Sequence, residues 1–325
     1  MSDPIIEEKA SSNRFVKNPH LSSIEDDFLF HIGIHGNSSL REKFGDVKFV
    51  CMGGSTSRMK KFAKFLQNEL SAYRYLNISD QSDPENLSNS DRYVVYKVGP
   101  VLAINHGIGI PSLMVILHET LKLLHHAGAA DVSFYRIGTS GGLGLEPGTV
   151  VLTKSSMNAL LEPYHEQVIL GKAVKFPASL NDDLRRKLID CSKNTGIPIA
   201  EGHTMCTNDF YEGQGRLDGA FCDYTLEDKL SFLNKVHEAG VYNIEMESVC
   251  FAAMCNRAGV QAAVLCVTLL DRLKGDQVNL TAEQLEDFQS RPQKIVTAYF
   301  RQVLEEDAQK PNYMSRHGNK RAKAM

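Results

Sequence analysis

No stretch of this 325-residue chain approaches the ~18 uninterrupted apolar residues that a membrane-crossing helix needs, so none is expected. Charge of one sign is not in excess either. The net charge is -3, which leaves no overall basic field for nucleic acid. Residues 1–8 hold neither a basic segment nor an apolar core, and no signal peptide is expected there. Paired cysteine spacing is also missing. The seven cysteines are scattered without a Cys-x-x-Cys, and Cys51, Cys250, Cys255 and Cys266 lie in apolar surroundings. That usage predicts reduced, buried thiols in a cytoplasmic protein. No internal repeat and no Pro/Ser-rich linker divides the chain. The pair His125-His126 lacks the spacing and partners of a metal site, so no metal is expected.

What the chain does have is alternation. Its hydrophobic content is 42%, enough with this length for a large core. Strands are predicted over 47–52, 93–98, 101–104, 131–137, 149–153, 241–246 and 261–270. Helices are predicted over 58–73, 111–124, 180–192, 226–239 and 247–256. The run Thr281-Ala-Glu-Gln284 predicts a capping box for a short helix, and a separate last helix is expected from Pro292 to about residue 306. Together these predict one three-layer α/β/α domain over 21–306, with a central mixed, largely parallel sheet. A polar tail over 1–20 and a basic, disordered tail over 307–325 are expected to flank it.

Three segments carry chemistry. Phe210-Tyr-Glu-Gly-Gln-Gly-Arg216 places an aromatic face, a side-chain amide and a guanidinium within seven residues. Phe210 can stack on a flat ring, Gln214 can donate to one edge atom and accept from another, and Arg216 can donate to a carbonyl. Uracil is the match; a polar surface loop with a minor apolar anchor is the bland alternative. Two glycine-rich segments, Gly53-Gly-Ser-Thr-Ser-Arg58 and Arg136-Ile-Gly-Thr-Ser-Gly-Gly142, follow strands and offer amides with an arginine to an anion. Each is expected as a loop at a strand–helix junction. Neither is a P-loop or a dinucleotide fingerprint, and glycine at a strand end is often only a tight turn. Glu245-Met-Glu247 ends a strand with two acids, suited to a sugar's hydroxyls or simply to a helix N-terminus.

Residues 45–55, Arg136-Ile-Gly-Thr-Ser-Gly-Gly142, Gly148-Thr-Val-Val151, Thr204-Met-Cys-Thr207, the run from Phe210 to Gly219 and Asn243-Ile-Glu-Met-Glu-Ser248 resemble animal uridine phosphorylases of the nucleoside phosphorylase-I superfamily. The resemblance covers about residues 16–306. It implies a phosphate site of Gly54, Arg58, Arg136, Ile137, Gly138 and Thr139, with Arg92 reaching across from a second subunit. It implies a uridine site of Ser140, Gly141, Phe210, Gln214, Gly215, Arg216, Met246, Glu247, Leu269, Leu270 and Arg272, with His31 arriving from the partner chain. Arg136, Gln214, Arg216 and Glu247 would carry the catalysis. The implied unit is a homodimer that converts uridine and phosphate to uracil and ribose 1-phosphate without any cofactor, phosphate being a co-substrate. Two departures stand out: Asn105 before the His-Gly, and the bulky Met114 within the signature helix. Such changes are absorbed by repacking or else shift the pocket floor. A silent nucleoside-binding paralogue or dimer partner, and a nucleosidase using water, are the competing readings. Retention of every matched residue weighs against the first, and retention of Arg58, Arg92 and Arg136 against the second.

Overall fold

The computed structural model describes residues 15–37, 39–78 and 82–309. Strand β1 (Phe28–Leu29) pairs antiparallel with β2 (Ile34–His35), and the short helix α1 (Ser39–Phe44) buries Leu40 and Phe44. β3 (Phe49–Gly53) is buried along its whole length, as an interior parallel strand requires. Ser55 then caps α2 (Thr56–Leu70) by accepting from the Arg58 amide, while Met59, Phe62, Leu66 and Leu70 turn one apolar face inward. β4 (Val95–Val98) and β5 (Val101–Asn105) form an antiparallel hairpin through Gly99, whose φ is 52°. Pro111 sits in the first turn of α3 (Ile110–Ala127), and left-handed Gly128 closes that helix.

The remaining elements are β6 (Ser133–Gly142), β7 (Val150–Met157), β8 (Tyr164–Ile169), β9 (Lys172–Pro177), α4 (Asp182–Ser192), β10 (Ile199–Cys206), α5 (Leu226–Glu238), β11 (Val241–Glu245), α6 (Ser248–Ala258), β12 (Gln261–Asp271) and α7 (Ala282–Ala308). The main sheet runs β11-β10-β7-β12-β6-β3-β5-β4. It is parallel except at β4–β5 and β7–β12, with one further antiparallel contact where Gly141 and Gly142 meet Ile244 and Asn243 of β11. That contact curls half the sheet back on itself. One apolar core lies between the sheet and α1, α3 and α6, and a second between its other face and α2, α4 and α7. The expected three layers are present.

Several expectations change. The segment after Arg136 is no loop at a helix start, because β6 continues as strand through Gly142. Its glycines serve close approach: a Cβ at Gly141 would stand 2.8 Å from Arg272 Cγ, and one at Gly142 2.9 Å from Thr268 Cγ2. The capping box at Thr281 opens α7, which runs unbroken past Pro292, so the two expected helices are one. Buried Ile295, Val296, Phe300 and Leu304 hold this helix on the sheet, which offsets the hydrogen bond that proline removes. Phe15 and Val16 are already buried inside the expected N-terminal tail, and α7 passes residue 306, with Asp307 paired to Lys48. Residues 1–14 and 310–325 of the expected tails lie outside the described residues. α1, β8, β9 and β10 were not predicted, since their sequences are short or mixed polar.

Candidate active site

The strands β3, β5, β6, β11 and β12 point their carboxyl ends at one cavity of about 610 Å³. Gly54 and Arg58 enter it from the β3–α2 junction, and His106, Gly107 and Ile108 from the turn after β5. Arg136, Gly138, Thr139, Ser140 and Gly141 come from β6, Met246 and Glu247 follow β11, and Leu269 and Leu270 end β12. The loop after β10 supplies Phe210, Tyr211, Gln214, Arg216 and Asp218. The loop before α7 adds Asp276, Gln277 and Val278.

The cationic end centres on Arg136, which is only 2% exposed. Its Nη2 lies 2.5 Å from Glu245 Oε2 and also pairs with Glu247, whereas buried Nε and Nη1 have no partner. Burial would push this guanidinium down, but neighbouring negative charge, Glu245 foremost, holds it above its usual range. Nη1 lies over Gly138, where a Cβ would come within 2.2 Å of it. Arg58 is shifted the other way, lowered by burial and then by repulsion from Arg136. Two guanidiniums that repel each other are stabilised by an anion between them.

Glu245 is spent on structure as well as charge: its carboxylate accepts from the Glu247 and Ser248 amides at 2.9–3.0 Å, capping α6. Glu247 accepts from the Gly109 amide at 2.5 Å besides pairing with Arg136. Ser140 sits on a buried polar chain in which Asn243 Nδ2 donates to Ser140 Oγ at 3.0 Å and Thr204 Oγ1 to Asn243 Oδ1 at 2.7 Å.

The other end is flat-faced and polar-edged. Gln214, 3% exposed, donates from Nε2 to Thr207 Oγ1 at 3.1 Å. The Arg216 guanidinium lies 4.4 Å from the Phe210 ring centre and forks onto Asp218, with Nε and Nη2 both at 2.9 Å. Nη2 also donates to the Asp276 carbonyl, so Nη1 is the nitrogen left for a further acceptor. One face of Phe210 is therefore covered by Arg216, and the Tyr211 ring stands at 89° to it with centroids 5.2 Å apart.

Not every expected site residue lines this cavity. Ile137 turns its side chain into the apolar core, and Gly215, with φ of 63°, provides the left-handed turn after Gln214. Arg272 is fully buried behind the loop, where Nη2 donates to the Gln214 carbonyl at 2.9 Å. It braces the pocket rather than closing it. His31 lies elsewhere, its Nδ1 2.7 Å from Glu119 Oε1, and Arg92 is exposed outside the cavity. Asn105 and Met114 are also outside it: Asn105 Oδ1 accepts from the Val94 amide, and Met114 packs on the α3 core, so neither lines the pocket. His106, Tyr211, Asp218, Asp276, Gln277 and Val278 are lining residues that sequence reasoning missed. Tyr211 and Asp218 lie in or beside the run from Phe210 to Arg216, and the others carried no local signal.

A family profile described as phosphorylase superfamily matches residues 48–304. The chain is 50% identical over 291 residues to Homo sapiens uridine phosphorylase 2, covering 89% of this chain and 90% of that one. It is 39% identical over 290 residues to a Schistosoma mansoni protein named inactive uridine phosphorylase B, covering 88% and 95%. Among solved structures it is similar to Schistosoma mansoni uridine phosphorylase in complex with uracil, with a TM-score of 0.83, 40% identity and coverage of 89% of this chain and 99% of that one.

Proposed function

The chain belongs to the phosphorylase superfamily, and on that premise we propose that it is a uridine phosphorylase, which converts uridine and phosphate reversibly to uracil and ribose 1-phosphate. One observation carries the reading. A single cavity joins two mutually repelling arginines, Arg58 and Arg136, to the base-edge groups Gln214 and Arg216, with Glu247 lining it as well.

Phosphate bound by Arg58, Arg136, Thr139 and the Gly54 amide attacks the anomeric carbon. The new C–O bond forms as the bond to the pyrimidine nitrogen breaks, and its electron pair leaves with uracil. Positive charge gathers on the sugar, beside Glu247 and the phosphate dianion, while negative charge grows on the base, where Gln214 and Arg216 Nη1 donate. Uracil then takes a proton from solvent. Stabilising the leaving anion replaces a general acid, and no cofactor is needed. We further infer a homodimer in which Arg92 and His31 serve the neighbouring site, acting in pyrimidine nucleoside salvage in the cytoplasm.

A silent paralogue is the second reading, favoured by the similarity to the protein named inactive uridine phosphorylase B. Uracil release from uridine, measured with and without phosphate, separates the readings. Release only with phosphate is expected. Release in neither condition supports the silent paralogue, and release without phosphate a nucleosidase.

A further inference from the structure

One buried side chain in the cavity has no partner at all. His106 is 1% exposed, and neither Nδ1 nor Nε2 makes a hydrogen bond. Its backbone is pinned, with the amide donating to the Gly53 carbonyl at 2.8 Å and the carbonyl accepting from Ser112 Oγ at 2.6 Å. The ring is thereby held beside Gly54, where a Cβ would stand 3.8 Å from His106 Cε1 and 3.4 Å from Arg58 Nη2. Arg136 Nε and Nη1 are buried in the same cavity and equally unpartnered. Buried polar side chains are ordinarily satisfied, so orphaned groups on two residues that line one cavity mark where a ligand makes their bonds.

We propose that His106 is a further phosphate-binding residue, its ring N–H donating to an oxygen of a phosphate held between Arg58 and Arg136. The proposal rests on the phosphorolysis reading above. Burial first, and then the charge of Arg136, hold the imidazole well below its ordinary value, with Glu245 opposing and the Gly107 backbone, near the ring but outside hydrogen-bond geometry, opposing least. A neutral ring suits the place. A third cation would be repelled by two guanidiniums, whereas an uncharged N–H adds a directed contact without adding charge. Monohydrogen phosphate has oxygens that accept and one O–H that donates, so either ring tautomer finds a partner on it.

The test compares His106→Leu and His106→Gln with wild type, titrating inorganic phosphate alone by calorimetry and then measuring KM for phosphate and for uridine. In His106→Leu the phosphate Kd and KM are expected to rise about tenfold or more, with uridine KM little changed. His106→Gln, which keeps an N–H, is expected to recover most of the loss. Unchanged phosphate affinity in His106→Leu overturns the inference, as does an effect confined to uridine. If the leucine variant does not fold, the wild-type ring is followed by NMR of labelled histidine, its signal assigned by its absence in His106→Gln. A signal that moves on phosphate addition supports the proposal, and one that stays put overturns it. Wild type that releases uracil without phosphate sinks the phosphorolysis reading itself. Phosphate-dependent wild type with unaltered binding in His106→Leu sinks only the role of His106.

Discussion

Arg136 is held by two acids through a single nitrogen, which leaves two more of its nitrogens to serve an anion. Arg136→Ala removes that charge-assisted contact, worth about 1.5–3 kcal/mol, and also frees Glu245 and Glu247 to repel each other. Phosphorolysis is expected to be lost while the fold persists; near-normal phosphate KM in the variant refutes the assignment. At the opposite end, Gln214 keeps one Nε2 hydrogen for a ligand after bonding Thr207. Gln214→Leu is expected to cut uridine turnover sharply and to blur discrimination against cytidine, at about 1–3 kcal/mol per unmatched group, with phosphate affinity nearly unchanged. Phosphorolysis of uridine, cytidine and inosine by both proteins checks this, and full selectivity in the variant sinks it. Phe210, Gln214 and Arg216 were legible because one short run holds them all. His106 was not, since a lone histidine says nothing until its surroundings bury it.

The loops around the base end are locked to the helices behind them. Asp276, in the loop between β12 and α7, meets Lys229 of α5 at 2.8 Å and Arg272 Nε at 3.0 Å, and accepts from the Leu217 amide at 3.0 Å. Burial would raise this carboxyl, but the Lys229 contact and the groups beside it hold it below the usual carboxylate range. The same segment's carbonyl fixes Arg216. Lys229→Met breaks one buried pair while Arg272 still screens the acid, so a stability loss of about 1–3 kcal/mol is expected, below the full cost of orphaning a buried charge. Uridine KM is expected to rise and phosphate KM to stay. Thermal unfolding and the two KM values measure this; a variant with both constants shifted alike shows that the latch does not act on the base end alone.

At the scale of the whole molecule, the cavity of one chain lacks two of the residues assigned to it. His31 and Arg92 do not line it in their own chain, and Phe30 beside His31 is 68% exposed. If the proposed homodimer shares its sites, mixed Arg92→Ala and Arg216→Ala subunits, each inactive alone, are expected to recover part of the activity, because one site of a mixed dimer lacks both residues and the other is intact. No recovery, with subunit exchange confirmed by mass, places Arg92 outside the neighbour's site.

Local pattern alone determined the α/β alternation, the helix start at Pro111, and the base-reading run, because each is written in residues close along the chain. The α2 face shows this: Met59, Phe62, Leu66 and Leu70 repeat at helical spacing, and the same residues are buried. Tertiary structure decided what spacing cannot encode. Residues 141 and 142 continue β6 because they pair with β11, and they are glycines because Arg272 and Thr268 leave no room for a Cβ. Pro292 stays inside α7 because the residues after it, Ile295, Val296, Phe300 and Leu304, are buried against the sheet. Arg136 acquires its two carboxylates, and His106 its isolation, from elements distant in sequence, since burial and Coulomb energy depend on separation in space and not along the chain.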